Sequence, residues 1–485
     1  MSGVARVASS RGGDAMVRLA SAWNAPSSLL KGGALLCALL VLIWLALPLP
    51  WSAPHLDTGV AQANGSALRL YYQAALDVLR GVSPYHAALA WSTTHAPTDP
   101  SNLAMDVYTY PPLLALLLLP FTVLPLSVLA AGWMLLSLLS ALYLALFLVR
   151  LVVPGARGVN GVVATVIALD LVLLFGPLRH SMRGGQIDVT LIALVVAAWH
   201  ALRARRMLRG ALLLGLVIAV KPTYVLLLGF HLWRRDWRVV GTTLAVAAVG
   251  IVLPFLLVPH QALSDFLRVS AFWNAPGFLM APKSISALGV FERMCFTFPG
   301  AWPLCAAPWI SRTPEIVLGL ACYLGATMLV DPRLDRDETH WRYAFGLILM
   351  VLLLGSPLTE DAHLALALIP LGVVIAPLVA ALRHGERGAV LPLLLAGVIF
   401  IYWTLPVRSA ASFSTYAGWR ALLAGYWFYG LAGLAALYVW SGCQAPYRLA
   451  GLSALHSGWR ELHGGLLRLR AGAVLIIARL VKVER

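Results

Sequence analysis

The sequence contains few charged residues, few cysteines and almost no lysine. Only 12% of its 485 residues are charged, against about a quarter in an average soluble domain. Lysine occurs only at Lys31, Lys221, Lys283 and Lys482. The hydrophobic fraction is 60% and the mean hydropathy is +0.82. This composition excludes a soluble globular enzyme, a disordered chain and a coiled coil.

Several functional motifs are also absent. The sequence has no Walker A loop, no dinucleotide fingerprint after a strand, no His-x-x-x-His zinc pair and no soluble nucleotide-binding domain. Their absence argues against ATP-driven transport and against chemistry on cytosolic nucleotide sugars. No cluster of metal ligands is visible, so we expect no cofactor, and the sequence leaves the need for a divalent metal open.

Apolar segments dominate the sequence and predict an all-α polytopic membrane protein. A transmembrane helix needs about 20 apolar residues, and segments of this kind recur along the chain. They cover residues 32–49, 112–124, 127–149, 159–175, 187–202, 210–233, 239–258, 314–330, 343–354, 364–382, 390–405 and 421–440. We therefore predict about 12 spans, with long loops at 50–110 and 259–312 that contain short helices.

The distribution of arginine predicts the orientation. With residues 1–30 in the cytoplasm, both long loops lie outside, and most arginine-rich connectors lie inside. The connector 203–209 is the exception. It would lie inside if 112–124 and 210–233 were re-entrant hairpins, the second with Lys221 and Pro222 at its tip. We favour 12 spans across a domain of residues 31–440.

The basic tail, residues 441–485, alternates leucine with arginine and histidine. It is either an amphipathic segment on an anionic leaflet or a solvated tail. Cys295 and Cys305 are both in the second outer loop, ten residues apart in the sequence. They form either a disulfide or two free thiols.

The first outer loop combines carboxylates with aromatic side chains. Asp57, Asp106, Tyr85 and Tyr110 are the candidates for a functional site in this loop. Aromatic rings pack on sugar faces and carboxylates accept bonds from sugar hydroxyls, so the combination suits a carbohydrate. The alternative is an interfacial aromatic belt.

A second polar cluster lies just before the apolar segment 364–382. It contains Glu360, Asp361 and His363. Ionisable groups at a membrane boundary are costly unless they are solvated, paired or used. The cluster is either a solvated turn or part of a site for sugar or phosphate.

Lys221 lies deep in an apolar segment, where a charge is a functional hypothesis by default. An anionic partner such as a lipid phosphate would suit it; snorkelling or pairing with a carboxylate is the alternative. Arg183, Gln186 and Asp188 also interrupt apolar sequence. They form either a membrane-buried phosphate site or a connector.

The order and spacing of several short motifs resemble glycosyltransferase family 87 across residues 30–440. The motifs are Leu70-Tyr71-Tyr72-Gln73-Ala74-Ala75, Gly81-x-x-Pro84-Tyr85, Tyr110-Pro111-Pro112-Leu113, Gly185-Gln186-Ile187-Asp188, Lys221-Pro222, Trp233-Arg234-Arg235, Ser356-Pro357 and His363. No single motif is specific, and the resemblance lies in their order.

The resemblance implies an inverting membrane transferase of the GT-C superfamily. A polyprenyl-phosphate sugar, with mannose or a related sugar, would be the donor, and a lipid or glycan hydroxyl the acceptor. Catalysis would take place at the periplasmic face of a bacterial inner membrane, without nucleic acid. A carboxylate in the first outer loop would be the base, while Lys221 and Arg183 would hold the lipid phosphate. His363 and Asp361 would support sugar or phosphate.

Three positions depart from the family pattern. Ala67 stands where the family has its first-loop Asp, so Asp57 and Asp106 become the candidate bases. Ala362 replaces the first of two histidines. Lys283 stands in a segment where relatives often have Asn-Gln-Ser, and it could meet a phosphate.

Two other functions remain open from the sequence. A ligase or polymerase acting on polyprenyl-linked glycans would release a lipid diphosphate. A lipid or solute transporter would fit the span count and Lys221, although the sequence has no visible inverted repeat.

Overall fold

The computed structural model describes residues 66–95, 107–273, 338–356, 359–360, 362–404 and 426–442, with single residues or pairs at 32, 39, 285–286, 289–290 and 294. Regular structure in this part of the chain is helical throughout. The predicted 1–30 segment, 441–485 tail, first span and 314–330 span lie wholly or almost wholly outside the described residues, as does the Cys295–Cys305 pair.

The helices preceding the main bundle are short. They are α1 (Ser66–Leu79), α2 (His86–Thr94) and α3 (Leu113–Leu118), which runs into a 3-10 turn at Leu119–Phe121. Helix α1 is amphipathic: Leu68, Tyr71 and Ala75 repeat at three- and four-residue spacing and are buried. This face packs on α3 and the start of the next helix.

The bundle itself is formed by longer, more apolar helices. They are α4 (Leu126–Val152), α5 (Gly158–Leu174), α6 (Gly176–Arg183), α7 (Asp188–Arg203), α8 (Met207–Val220), α9 (Leu228–Trp233) and α10 (Trp237–Leu257). Next come α11 (Ala262–Trp273), α12 (Glu338–Gly355), α13 (Leu368–Arg383), α14 (Val390–Thr404) and α15 (Tyr426–Gly442). 3-10 turns precede α9, α13 and α14, at Pro222–Leu227, His363–Ala367 and Arg387–Ala389.

Helix α7 forms the centre of the bundle. Val189, Ile192 and Val196 are fully buried, and the helix is apolar on nearly all sides. A helix that is hydrophobic all round belongs inside a larger protein or a membrane assembly. Helices α4 and α8 pack against α7, and α10 packs against α8.

Several helices are suited to crossing a membrane. In the described residues, four segments are long and apolar enough: Leu126–Val152, Trp237–Leu257, His363–Arg383 and Arg387–Thr404. Helices α5 and α6 pass the same test together, with a bend of 71° between them. The all-helical structure and its apolar helices fit the predicted membrane protein.

The segment at 112–124 is too short to be the predicted span. Helix α3 has six residues and the 3-10 turn after it has three. At 1.5 Å and 2.0 Å per residue, they extend about 15 Å, roughly half the hydrocarbon thickness. The helix at 112–124 is therefore shorter than the predicted full span requires.

Residues 207–233 form a hairpin rather than the predicted full span. Before it, the Arg203 guanidinium lies 5.9 Å from the Trp341 ring centroid. After it, the Arg234 guanidinium lies 4.6 Å from the same ring. Lys221, between them, reaches Asp188 at the opposite end of α7. The segment thus extends along α7 and returns, which is the shape of the predicted alternative with Lys221 at the tip.

An ionic cluster lies at the end of the bundle opposite Lys221. Glu338 accepts bonds from Arg203 at 2.7 Å and from Arg342 at 2.9 Å. Next to it, the hydroxyls of Tyr343 and Tyr438 each donate to the other residue's carbonyl. These contacts join α12 to α7 and α15. Within the described residues, the predicted polar site residues meet at the other end of the bundle, around Lys221.

Candidate functional site

The site is formed where the hairpin turns. Pro222 lacks an amide hydrogen and disfavours helical geometry at the residue before it. Helix α8 accordingly ends at Val220, and Lys221 adopts extended backbone with φ −136° and ψ 94°. The Lys221 side chain is 11% exposed. Its charge is therefore held among protein groups rather than in solvent.

Lys221 contacts three side chains from distant parts of the chain. Its Nζ donates to Oδ1 of Asp188 at 2.7 Å and contacts Nε2 of His363. The same atom lies 5.8 Å from the ring centroid of Tyr110, within the range of a cation–π interaction. The predicted residues Lys221, Asp188, His363 and Tyr110 are therefore one cluster.

Asp188 is the first residue of α7 and is 1% exposed. A helix N-terminus stabilises a negative charge at this position. While Oδ1 accepts from Lys221, Oδ2 is buried and has no hydrogen-bond partner in the described part of the chain. An unsatisfied buried acceptor is costly, and a ligand hydroxyl would satisfy it.

The backbone bond to the His363 ring indicates which of its two nitrogens carries the proton. The amide nitrogen of Glu360 donates to Nδ1 of His363 at 3.0 Å. A neutral imidazole that accepts at Nδ1 carries its proton on Nε2. The nitrogen in contact with the Lys221 ammonium is then also a donor, so two N–H groups face each other. An anionic oxygen there could accept from both.

Gln186 lies beside this cluster and is held by two tyrosines. Its Oε1 accepts from the Tyr71 hydroxyl at 3.0 Å and from the Tyr110 hydroxyl at 3.4 Å. Because the carbonyl oxygen is used, the amide NH₂ of Gln186 is oriented away from the tyrosines and can donate elsewhere. Tyr71 was part of a sequence motif but not a predicted site residue; only the fold reveals its contact.

Gly185 sets the position of Gln186. Its φ is +66°, and a Cβ there would lie 3.0 Å from Cβ and 3.1 Å from the amide nitrogen of Leu68 in α1. Glycine is the residue that takes this backbone conformation at no steric cost. The close approach keeps α1, with Tyr71, against Gln186.

Tyr110 is partly buried in the loop before α3. Burial, followed by neighbouring Tyr71, Asp188 and Glu360, raises the pKa of the Tyr110 hydroxyl well above its ordinary value. The hydroxyl therefore stays protonated and acts as a hydrogen-bond donor.

Tyr85 and Arg183 make no contact with Lys221 in the described structure. Tyr85 is fully buried, and its hydroxyl donates to the carbonyl of Tyr110 at 2.8 Å. It positions the Tyr110 loop, and a direct role in binding substrate stays a prediction. Arg183 is exposed at the end of α6. No contact in the described structure joins it to Lys221, and its role in holding the lipid phosphate stays a prediction.

The remaining predicted residues lie at the edge of the described chain. Glu360 is partly buried just before the His363 turn. Asp57, Asp106, Lys283 and Asp361 lie outside the described residues. Near Lys283, the amide of Ile285 donates to the carbonyl of Thr359 at 2.6 Å. The second outer loop therefore contacts the segment that carries Glu360.

No group of three or more His, Cys, Asp or Glu side chains in the described residues could hold a metal ion. The cluster around Lys221 instead offers a cation, N–H donors and a buried carboxylate. Such a set suits an anionic group joined to a hydroxyl-rich one.

Comparisons with known proteins identify the family of the chain. The model of Glycosyltransferase family 87 matches residues 108–357, more than half of the chain. The matched range includes Tyr110, Gln186, Asp188 and Lys221. No solved structure matches the chain.

Two curated relatives share one name, polyprenol-phosphate-mannose-dependent alpha-(1-2)-phosphatidylinositol mannoside mannosyltransferase. The protein of Mycobacterium tuberculosis is 28% identical over 336 residues, covering 64% of this chain and 77% of its own. That of Mycolicibacterium smegmatis is 27% identical over 404 residues, covering 78% and 77%. By its sequence match, the chain belongs to glycosyltransferase family 87 and is a membrane glycosyltransferase.

Proposed function

We propose that this glycosyltransferase moves mannose or a related sugar from a polyprenyl-phosphate donor to a hydroxyl of a lipid or glycan acceptor. Transfer takes place at the outer face of a bacterial inner membrane and inverts the anomeric carbon. The names of the two mycobacterial relatives support the donor. The observation that carries the proposal is the meeting of Lys221 with His363 and Asp188.

Lys221 and His363 bind the donor phosphate. When the bond between the sugar and phosphate breaks, negative charge develops on the leaving phosphate. Pre-organised donors stabilise such charge strongly in a site that excludes water. The Lys221 ammonium and the Nε2–H of His363 face each other and supply these donors. A phosphate oxygen that accepts from both moves the two nitrogens apart and relieves the apposition of two N–H groups.

Asp188, Gln186 and Tyr110 bind the sugar. The buried Oδ2 of Asp188 accepts from one sugar hydroxyl. The amide NH₂ of Gln186 donates to another, because its Oε1 is already engaged by Tyr71 and Tyr110. Hydrogen bonds to a substrate hydroxyl discriminate strongly, since its loss leaves a buried polar group unpaired.

The distribution of arginine supports an outward-facing site. Cytoplasmic ends carry an excess of Lys and Arg. At the bundle end opposite Lys221 lie Arg203, Arg205, Arg206, Arg209, Arg234, Arg235, Arg238, Arg383 and Arg387. With this end in the cytoplasm, the connector 203–209 no longer violates the rule, and Lys221 lies toward the periplasm.

This orientation gives ten membrane crossings instead of twelve. Eight belong to α4, α5, α7, α10, α12, α13, α14 and α15. Two more are predicted at 32–49 and 314–330. Helix α3 and the 207–233 hairpin enter without crossing. Residues 1–30 and 441–485 are then both cytoplasmic, around a GT-C domain of residues 31–440.

The reaction also needs a base for the acceptor hydroxyl. Asp57 and Asp106, in the first outer loop, are the candidates from the sequence. Asp361 and Lys283 are near enough along the chain to Glu360 and Ile285 to contribute to the sugar or phosphate. No metal or cofactor is part of this proposal.

Product analysis tests the proposed function. Purified protein in liposomes is supplied with polyprenyl-phosphate mannose and a bacterial lipid extract, and lipid products are separated by thin-layer chromatography and identified by mass spectrometry. We expect free polyprenyl monophosphate together with a mannosylated product of inverted anomeric configuration. Polyprenyl-phosphate glucose, run in parallel, reports sugar selectivity. Release of a lipid diphosphate from an extract, or no turnover of any polyprenyl-phosphate sugar, would overturn the proposal.

A further inference from the structure

The residue at position 67 cannot be the base of this enzyme. Ala67 stands where the family resemblance implies an Asp, and its methyl group cannot accept a proton. The residue is 3% exposed, and its amide donates to the carbonyl of Gly184 at 3.1 Å. Gly184 is two residues before Gln186. Position 67 thus borders the site, but the proton acceptor must come from elsewhere.

Two carboxylates in the described residues border the site, and they differ in environment. Asp188 is buried and bonded to the Lys221 ammonium at 2.7 Å. Its Oδ1 is occupied by the Lys221 ammonium, and the side chain is 1% exposed. Glu360 is partly exposed at the rim. It is therefore the carboxylate that an acceptor hydroxyl can approach from outside.

The backbone holds Glu360 firmly against His363. Its amide donates to His363 Nδ1 at 3.0 Å. Its carbonyl accepts from the amides of His363 at 3.0 Å and Leu364 at 3.3 Å. The preceding Thr359 is buried, and its hydroxyl donates to the carbonyl of Leu353 at 2.8 Å. Glu360 thus has fixed surroundings, as a catalytic group requires.

The charge of Glu360 affects Tyr110. The carboxylate is one of the groups that oppose ionisation of the Tyr110 hydroxyl. Tyr110 in turn bonds Gln186 and lies over Lys221. The geometric link is the backbone of Glu360, whose amide bonds the His363 ring that contacts Lys221.

We propose that Glu360 is the catalytic base and replaces the carboxylate missing at position 67. This assignment rests on the proposed function. The Glu360 carboxylate takes the proton of the acceptor hydroxyl while that oxygen forms a bond to the anomeric carbon. The bond from the anomeric carbon to the phosphate oxygen breaks on the opposite face. Its electron pair leaves with polyprenyl phosphate, which Lys221 and His363 hold.

The test compares Glu360→Gln with the wild type in the liposome assay, with Glu360→Asp as the conservative variant. Glu386→Gln is the matched control, since Glu386 is exposed at the opposite end of the bundle. Size-exclusion profiles and melting temperatures establish that each variant folds. We expect Glu360→Gln to lower transfer about 10²–10⁴-fold, Glu360→Asp to retain part of it and Glu386→Gln to match the wild type.

Azide separates a base from a structural residue. Azide attacks the anomeric carbon without losing a proton, so it bypasses a missing base. With added azide, Glu360→Gln should again release polyprenyl phosphate and form a glycosyl azide of inverted configuration. Loss of transfer without azide turnover would overturn the assignment, because the residue would then serve binding or folding.

The outcomes also separate this inference from the proposed function. If the wild type releases no polyprenyl phosphate, the proposed function itself fails. If the wild type is active and Glu360→Gln keeps more than half of that activity, only the base assignment fails. Asp57→Asn and Asp106→Asn, run beside it, would then identify which sequence candidate accepts the proton.

Discussion

Lys221 Nζ and Asp188 Oδ1 lie 2.7 Å apart, although 33 residues separate them in the chain. Both side chains are almost inaccessible to solvent. Burying an ion pair costs desolvation that the attraction between the charges often only offsets. A buried pair between the tip of a hairpin and the start of a helix is therefore better explained by use in binding than by stability.

This pair predicts a separation of stability from activity. Asp188→Asn leaves the Lys221 charge buried without its partner, which costs roughly 3–5 kcal/mol. We expect a lower melting temperature in detergent for this variant. The double variant Asp188→Asn with Lys221→Met removes both charges and should recover much of the lost stability while remaining inactive. A double variant that transfers sugar would show that the pair is only structural.

The hairpin predicts that both of its ends face the cytoplasm. Single cysteines are introduced at Arg206 and Arg238, both exposed, in a chain whose five cysteines have been replaced. A membrane-impermeant thiol reagent should label both positions in inverted vesicles and neither in intact spheroplasts. Labelling of the two from opposite sides would restore the full span at 210–233.

A close contact between α6 and α14 predicts sensitivity at Gly176. A Cβ there would lie 2.0 Å from the Trp403 carbonyl oxygen, which belongs to the backbone. Gly176→Ala must therefore push the helices apart, at a cost of about 1–3 kcal/mol or more. Gly397→Ala is the control, because no atom lies within 4 Å of its Cβ position. Thermal unfolding should show a loss for Gly176→Ala alone, and equal melting temperatures would contradict the contact.

The connector after the hairpin predicts a pH-dependent contribution to stability. Burial favours a higher pKa for Asp236, but bonds from His231 and Arg234 outweigh it, and the pKa lies below its ordinary value. A carboxylate whose pKa is lowered by folding stabilises the folded state at pH values above its pKa in the unfolded chain, about 3.9. This stabilisation is lost as the pH falls through the pKa of the folded state. Asp236→Asn should thus lower the melting temperature at pH 7. The difference in melting temperature between the variant and the wild type should shrink below about pH 4. A difference that grows on acidification would contradict a lowered pKa for Asp236.

The sequence points to the individual residues of this site, but it does not predict that they lie close together in the fold. Lys221, Asp188 and His363 each attract notice because a charged or titratable group in apolar sequence is costly. Their convergence depends on how α7, the hairpin and the His363 turn pack, since 142 residues separate Lys221 from His363. Tyr85 is less distinctive in the sequence, because an aromatic side chain suits a sugar site and a buried core equally well.

The number of crossings could not be read from hydropathy alone. A hairpin inside the membrane must be as apolar as a span, so residues 210–233 carry the same signal in both cases. The contacts of Arg203 and Arg234 with one tryptophan decide between them, and these are tertiary. Arginine at 203–209 was the one sequence feature that pointed to the hairpin.

Release of polyprenyl phosphate by a Lys221→Gln variant is the most direct test of the account. The variant and the wild type are compared in liposomes with polyprenyl-phosphate mannose and acceptor lipid extract, with Arg238→Gln as the control at the opposite end of the bundle. Loss of a donor to the leaving charge should lower release by about 10²–10³-fold, while Arg238→Gln keeps the wild-type rate. Release by Lys221→Gln at the wild-type rate would contradict the assignment of Lys221 to the donor phosphate.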